Sequence, residues 1–199
     1  MKQFINTFIS AILAGFAIGI GGTVFLKVGG IVGAVLFSFG LLTVIHYGLA
    51  LFTGRAGYFE AWNGLAMLFT AILVGNVLGC AMIASVVQFN VMEAARKVVE
   101  SRLSVDYMRN FLLAVPCGFI MTTAVEFGRR EKFLPLLFGV PAFILCGFRH
   151  SIADAFYYVA SGTLSTPLLI TWLAIVGGNF VGCNMYRLLL GKFESKYGN

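Results

Sequence analysis

Charge is what this sequence has least of. Asp, Glu, Lys and Arg make up 11% of its 199 residues, while 59% are hydrophobic and the mean hydropathy is +0.92. Soluble domains carry about 25% charged residues, so this inventory cannot cover a water-facing surface, and soluble enzymes and disordered regulators are excluded. Histidine is nearly as scarce: His46 and His150 are the two present, and with Asp154 they are too few and too scattered for a metal centre. The four cysteines, Cys80, Cys117, Cys146 and Cys183, stand singly in apolar stretches with no CxxC spacing. They therefore read as small packing residues rather than redox or metal ligands. No Gly-x-Ser-x-Gly elbow occurs, and although His150, Ser151 and Asp154 supply the residue types of a triad, adjacent His and Ser on a helix project in different directions. No basic stripe interleaved with aromatics is present, so the net charge of +6 expresses membrane topology rather than nucleic-acid binding.

What is present is long apolar runs and 24 glycines. At about 20 residues per membrane-spanning helix, the chain supplies six spans with short connections and no separate soluble domain. Hydropathy with glycine and charge punctuation predicts spans near 4–26, 32–52, 64–88, 111–127, 133–159 and 166–190. The first run follows Lys2 but is longer than the h-region of a signal peptide and lacks a small-x-small cleavage site followed by a polar mature start, so it reads as a span. Its Gly15 and Gly19 offer a face for close helix approach in lipid. The polar joint at 90–110 reads as an interfacial helix or loop. Six spans put both termini on one side, with eight Lys and Arg (Lys2, Arg55, Arg129, Arg130, Lys132, Arg187, Lys192, Lys196) against five opposite (Lys27, Arg96, Lys97, Arg102, Arg109). The positive-inside rule then makes the termini cytoplasmic, in a bacterial-type inner membrane.

Two spans are interrupted. The second runs through Ala50-Leu51-Phe52-Thr53-Gly54-Arg55-Ala56-Gly57, and the fifth is broken at Cys146-Gly147-Phe148-Arg149-His150-Ser151 before resuming through Asp154. Polar, glycine-containing breaks at membrane depth are costly unless buried in protein or lining a water-filled path. Gly75-Asn76-x-x-Gly79-Cys80-x-Met82 in the third span recurs as Gly178-Asn179-x-x-Gly182-Cys183-x-Met185 in the sixth. Units of three spans make the second copy inverted: repeat one over 1–90, a connector over 91–110 and repeat two over 111–199. Inverted repeats with a discontinuous helix in each half place a substrate site at their interface near the midplane, so Thr53 and His150 are expected to face each other across one pore. His46 precedes Thr53 by seven residues and would share its face on a continuous helix, but it reads as structural.

On these residues, with Leu51-Phe52-Thr53-Gly54, Gly147-Phe148-Arg149-His150-Ser151-Ile152-Ala153, Ala11-Ile12-Leu13-Ala14-Gly15 and Gly178-Asn179, the chain resembles the formate/nitrite transporter family along essentially its whole length. The resemblance implies an all-α, aquaporin-like membrane fold, a homopentamer with a pore in each protomer, and passage of small monovalent weak acids, with or without protons. It implies a central pore histidine at His150 and the threonine of the interrupted helix at Thr53. It places Phe37, Leu41, Leu51, Phe52 and Phe143 at two hydrophobic constrictions, Asn179 at the asparagine of the last span, and Thr122 or Thr123 at a polar pore-side position. Arg149 and Asp154 stand where the family usually has Glu and Asn, Ala50 replaces an acidic residue, and the lysine of the outer mouth falls near Asp106, with Arg109 as the nearest base. These departures bear on substrate and selectivity rather than fold. The chain is also short at both ends beside typical members.

A bare anion cannot cross an apolar constriction without a desolvation cost on the order of ten kcal/mol, and a weak acid avoids it by taking up a proton. Histidine is the side chain suited to lend or sense that proton near neutral pH. Thr53, nearby backbone N–H groups and the positive ends of the half-helices would attract the anion. Arg149 and Asp154 are candidates for a local ion pair or for pore-facing charges. No cofactor is expected. The alternatives are a neutral-solute pore of the same architecture, against which stands the lack of an Asn-Pro-Ala pair at the breaks, and a membrane-embedded enzyme.

Overall fold

The computed structural model describes residues 2–57 and 65–190. Among the described residues it holds ten α-helices and no strand: α1 (Lys2–Val28), α2 (Gly30–His46), α3 (Phe52–Arg55), α4 (Leu65–Ala84), α5 (Phe89–Leu103), α6 (Tyr107–Gly128), α7 (Leu134–Leu145), α8 (Ser151–Ser161), α9 (Thr166–Cys183) and α10 (Met185–Leu190). The stretches Gln3–Val28, Tyr107–Gly128 and Thr166–Cys183 are long and apolar enough to cross a bilayer, while Gly30–His46, Phe69–Ala84 and Leu134–Leu145 are apolar but shorter. The second and fifth spans are composites, α2 with α3 and α7 with α8. The six-span architecture of two inverted three-helix repeats with broken second and fifth spans is the observed fold. Lys192 and Lys196 lie outside the described residues.

In each repeat the first and third spans pack so closely that a carbonyl oxygen of one lies against a glycine of the other. A Cβ on Gly79 would lie 2.0 Å from the Ile12 oxygen, and one on Gly182 would lie 1.9 Å from the Val115 oxygen. Lipid supplies little hydrophobic drive between helices, so this van der Waals approach between small residues holds the pair. The outward faces of α1 and α9 carry Ile5, Ile9, Leu13, Leu169, Ile170 and Leu173, all exposed on the surface of the single chain.

The two interruptions are the same joint built twice. After α2 and after α7 the chain passes through a left-handed glycine, Gly48 at φ 62° and Gly147 at φ 70°, a conformation that costs glycine no Cβ clash. Gly48 and Gly147 donate to Ile45 and Ile144, and the next residues, Leu49 and Phe148, donate back to Val44 and Phe143 at 2.8 and 2.9 Å. Helix then resumes at Phe52 and Ser151. The break of the second span thus occupies 47–51, overlapping only the start of the 50–57 stretch read from the sequence, and Thr53 sits inside the new half-helix. His46 ends α2 and stacks edge-on against Tyr47 at 4.9 Å, so the helix continuity that would align it with Thr53 is absent.

The connector is a helix. α5 buries Val91, Ala95 and Val99 on one stripe and leaves Glu93, Arg96, Lys97 and Glu100 on the rest, the pattern of a helix lying on a surface. It is tied to α8 by Arg96 Nε donating to the Ser161 carbonyl at 3.2 Å and by the Arg102–Asp154 ion pair.

Candidate functional site

At the centre of the molecule the two half-helices meet, and Thr53 Oγ1 lies 3.1 Å from His150 Nε2 with both residues almost fully buried. His150 is the N-cap of α8, its Nδ1 accepting the Ala153 N–H at 3.2 Å. An N-cap must accept, because the first N–H groups of a helix have no intrahelical partner. Nδ1 therefore carries no proton here, and the neutral ring holds its proton on Nε2, which donates to Thr53 Oγ1. The Thr53 O–H remains available as a donor.

Two asparagines hold this centre. Asn179 Nδ2 donates to the carbonyls of Ala114 and Arg149, both at 2.8 Å, and its Oδ1 accepts the Ser151 N–H at 2.7 Å, so one amide grips the residues on either side of His150. Asn76 does the same around Leu51, donating to Ala11 and Ala50 at 2.8 and 2.9 Å and accepting from Phe52 N–H at 3.0 Å. Both asparagines are 0% exposed. The cysteines four residues on cross between repeats: Cys80 Sγ donates to the Gly15 and Ile152 carbonyls, Cys183 Sγ to those of Gly118 and Thr53. The repeated Gly-Asn-x-x-Gly-Cys motif is therefore a clamp for the broken spans. By this equivalence Leu51 and His150 occupy matching positions, one apolar and one titratable.

Apolar residues surround the pair. The Phe143 ring stacks on His150 with centroids 5.4 Å apart and meets the edge of Phe37 at 6.1 Å. Phe52 packs edge-on against Phe69 at 5.5 Å, and Leu41 and Leu51 are buried in the same core. Thr122 donates its hydroxyl to the Cys183 carbonyl at 3.1 Å in the seam between α6 and α9, and Thr123 bonds the Phe119 carbonyl and the Tyr186 hydroxyl. Both hydroxyls are engaged by these partners, and Cys183, which accepts from Thr122, in turn bonds the Thr53 carbonyl.

Arg149 and Asp154 do not pair with each other. Asp154 Oδ1 accepts from Arg102 Nε at 2.8 Å, while Arg149 donates to Asn110 Oδ1 at 3.2 Å and to the Gly147 carbonyl at 3.0 Å. Asn110 also donates to the Arg102 carbonyl at 2.8 Å, linking the two arginines through one amide. Burial by itself would lower the Arg102 pKa, and the Asp154 charge with its hydrogen bond reverses this and leaves it raised. Sequence reasoning placed Arg102 on the connector and counted it for topology. Nothing in its spacing shows that a residue 52 positions from Asp154 is its partner. Asn110, the joint at 47–51 and the role of Asn76 were missed for the same reason, since each is defined by contacts between helices.

The formate/nitrite transporter family matches residues 1–183 of the chain. The uncharacterized transporter YrhG of Bacillus subtilis (strain 168) is 23% identical over 185 residues, covering 76% of this chain, which spans 66% of that relative's length. Among solved structures, a pentameric formate channel with formate bound superposes with a TM-score of 0.84 at 21% identity, over 95% of this chain and 96% of that one. An FNT family ion channel superposes at 0.79 with 19% identity, over 92% and 87%.

Proposed function

The chain belongs to the formate/nitrite transporter family, whose members are channels and transporters rather than enzymes, and from that premise we propose that it passes small monovalent weak-acid anions through a pore centred on Thr53 and His150. The observation that carries this reading is the buried Thr53–His150 hydrogen bond at the meeting point of two half-helices, between apolar walls. Apolar walls penalise bare charge, while the free Thr53 O–H and the half-helix dipoles favour an acceptor between them. A weak acid satisfies both conditions by crossing the apolar parts with its proton. In the conformation observed, His150 is a hydrogen-bond donor through Nε2. To give up a proton and remain neutral it must first gain one at Nδ1, which detaches the Ala153 N–H from its cap. Proton delivery is thereby tied to loosening the first turn of α8.

The pentameric state of the formate channel is carried over to this chain as part of the proposal, as are a bacterial inner membrane and cytoplasmic termini. Formate, nitrite, hydrosulfide and short carboxylates form the substrate class. The test is a pH-controlled flux panel in proteoliposomes covering formate, acetate, lactate, nitrite, hydrosulfide, chloride and glycerol, with His150→Phe beside the unaltered protein. Weak acids are expected to pass faster than chloride and glycerol, with faster entry from the acidic side and a changed pH profile in the variant. Equal passage of glycerol, or full and normally pH-dependent flux in the variant, would overturn it.

A further inference from the structure

A groove of about 320 Å³ opens where the end of α1, the end of α4 and the start of α5 meet, with Ile20, Val24, Ile83 and Val87 among its walls and Lys27 and Gln88 also bounding it. Its volume is about ten times the roughly 30 Å³ that a water occupies in the liquid, and its apolar walls offer water few partners. Val86 and Phe89, at the joint beside it, are 75% and 70% exposed. Lys27 donates from Nζ to Gln88 Oε1 at 3.0 Å, a neutral acceptor. Among the described residues no carboxylate lies within ion-pair distance of Lys27, and Glu93, the first acid of α5, is engaged by Arg96. Gln88 is the N-cap of α5, but its side chain is turned to Lys27, and no side chain caps that helix. The ammonium is thus held beside an apolar groove without a counter-charge, next to a helix start whose first N–H groups lack a capping acceptor.

We propose that this corner binds one phospholipid, with an acyl chain in the groove and the phosphate against Lys27. The inference goes beyond the transport reading and rests on none of the pore residues. A lysine at the end of a spanning helix lays its stem along apolar surface and carries its charge at the level of the lipid headgroups, so one molecule with an apolar tail below a phosphate matches both the groove and the ammonium. The start of α5 adds to the attraction, since a helix N-terminus favours a phosphate. A headgroup with no cation of its own, such as phosphatidylglycerol, leaves the pairing with Lys27 uncontested, so it is favoured over phosphatidylcholine. The connector α5 is tied to α8 through Arg96 and Arg102, and a lipid seated at its start therefore stabilises the whole connector.

The test uses the delipidated full chain in a neutral detergent, with native mass spectrometry for bound lipid and thermal unfolding as readouts. The probes are phosphatidylglycerol, phosphatidylcholine, diacylglycerol and inorganic phosphate. One phosphatidylglycerol per chain is expected to be retained, stabilising the protein more than phosphatidylcholine does, with no stabilisation by diacylglycerol or inorganic phosphate. Lys27→Gln changes an exposed side chain and is expected to bind phosphatidylglycerol about tenfold more weakly. Val24→Phe narrows the groove and is expected to lose the lipid as well. Lys97→Gln removes an exposed charge from the body of α5 and is expected to bind as the unaltered chain does. Inorganic phosphate that stabilises as much as phosphatidylglycerol would make the corner a site for free phosphate and overturn the proposal. So would folded Lys27→Gln or Val24→Phe protein with undiminished lipid binding, or a loss in Lys97→Gln equal to that in Lys27→Gln. A groove filled by a neighbouring copy of the chain would show as no lipid retained and an altered subunit number in Val24→Phe, and would likewise overturn it.

Discussion

Asn179→Ala removes three hydrogen bonds at once and leaves two carbonyls and one N–H in a seam that is 0% exposed. Each buried group left without a partner costs about 1 to 3 kcal/mol, so the sum lies between roughly 3 and 9 kcal/mol if nothing relaxes. A water entering the space vacated by the amide would bring the cost toward the lower end. For a chain of this size one kcal/mol moves the melting temperature by about 2 to 4 °C, which places the drop at roughly 6 °C or more. Asn76→Ala removes the matching three bonds around Leu51 and should cost a similar amount. The two variants should separate in function. Asn179 holds both neighbours of His150, so surviving Asn179→Ala protein should show an altered pH profile of weak-acid flux. Asn76→Ala should keep the profile and lose rate. Thermal unfolding in detergent and pH-dependent flux in proteoliposomes measure the two effects. An Asn179→Ala protein that melts with the unaltered one and keeps its pH profile would refute the clamp.

Gly182→Ala and Gly79→Ala place a methyl about 2 Å from a carbonyl oxygen of the packed helix, whereas a Cβ on Gly177 meets nothing nearer than the Phe111 ring at 3.5 Å. The first two should yield little monodisperse protein by size-exclusion chromatography, and Gly177→Ala should behave as the unaltered chain. Phe143→Ala removes the ring stacked between Phe37 and His150. It should cost about 3 to 5 kcal/mol of stability and admit chloride or glycerol in the flux panel. Folded protein with unchanged selectivity would show that Phe143 does not wall the path.

The sequence carried the fold class through scarcity of charge, and it carried the site through polar groups that have no reason to sit in apolar helices. His150 stood out because a titratable break at membrane depth is costly. The joint at 47–51 did not, because Leu49, Ala50 and Leu51 are as apolar as any helix and the freed Ala50 groups are satisfied from afar, the carbonyl by Asn76, 26 positions on, and the N–H by Ser10. Hydropathy reports what surrounds a residue on average and is silent about which distant amide caps it. The Arg102–Asp154 pair was hidden likewise: both residues were visible, but the nearer Arg149 was the natural partner by spacing, and only the fold of α5 over α8 brings Arg102 closer.

The crossing of the two halves also fixes an order of construction. The seat of α3 is built by residues that emerge much later: Cys183 Sγ bonds the Thr53 carbonyl, and Asn184 Nδ2 bonds that of Ala56 at 2.8 Å. α8 in turn rests against α1 and α4, with Cys80 Sγ on the Ile152 carbonyl. A ribosome that has delivered the first three spans has therefore delivered a half whose central element has no final resting place, and the seat of Thr53 is complete only when α9 arrives. Chains interrupted before that helix should be marked by a loose first break and removed, which makes the last span a checkpoint for the whole molecule.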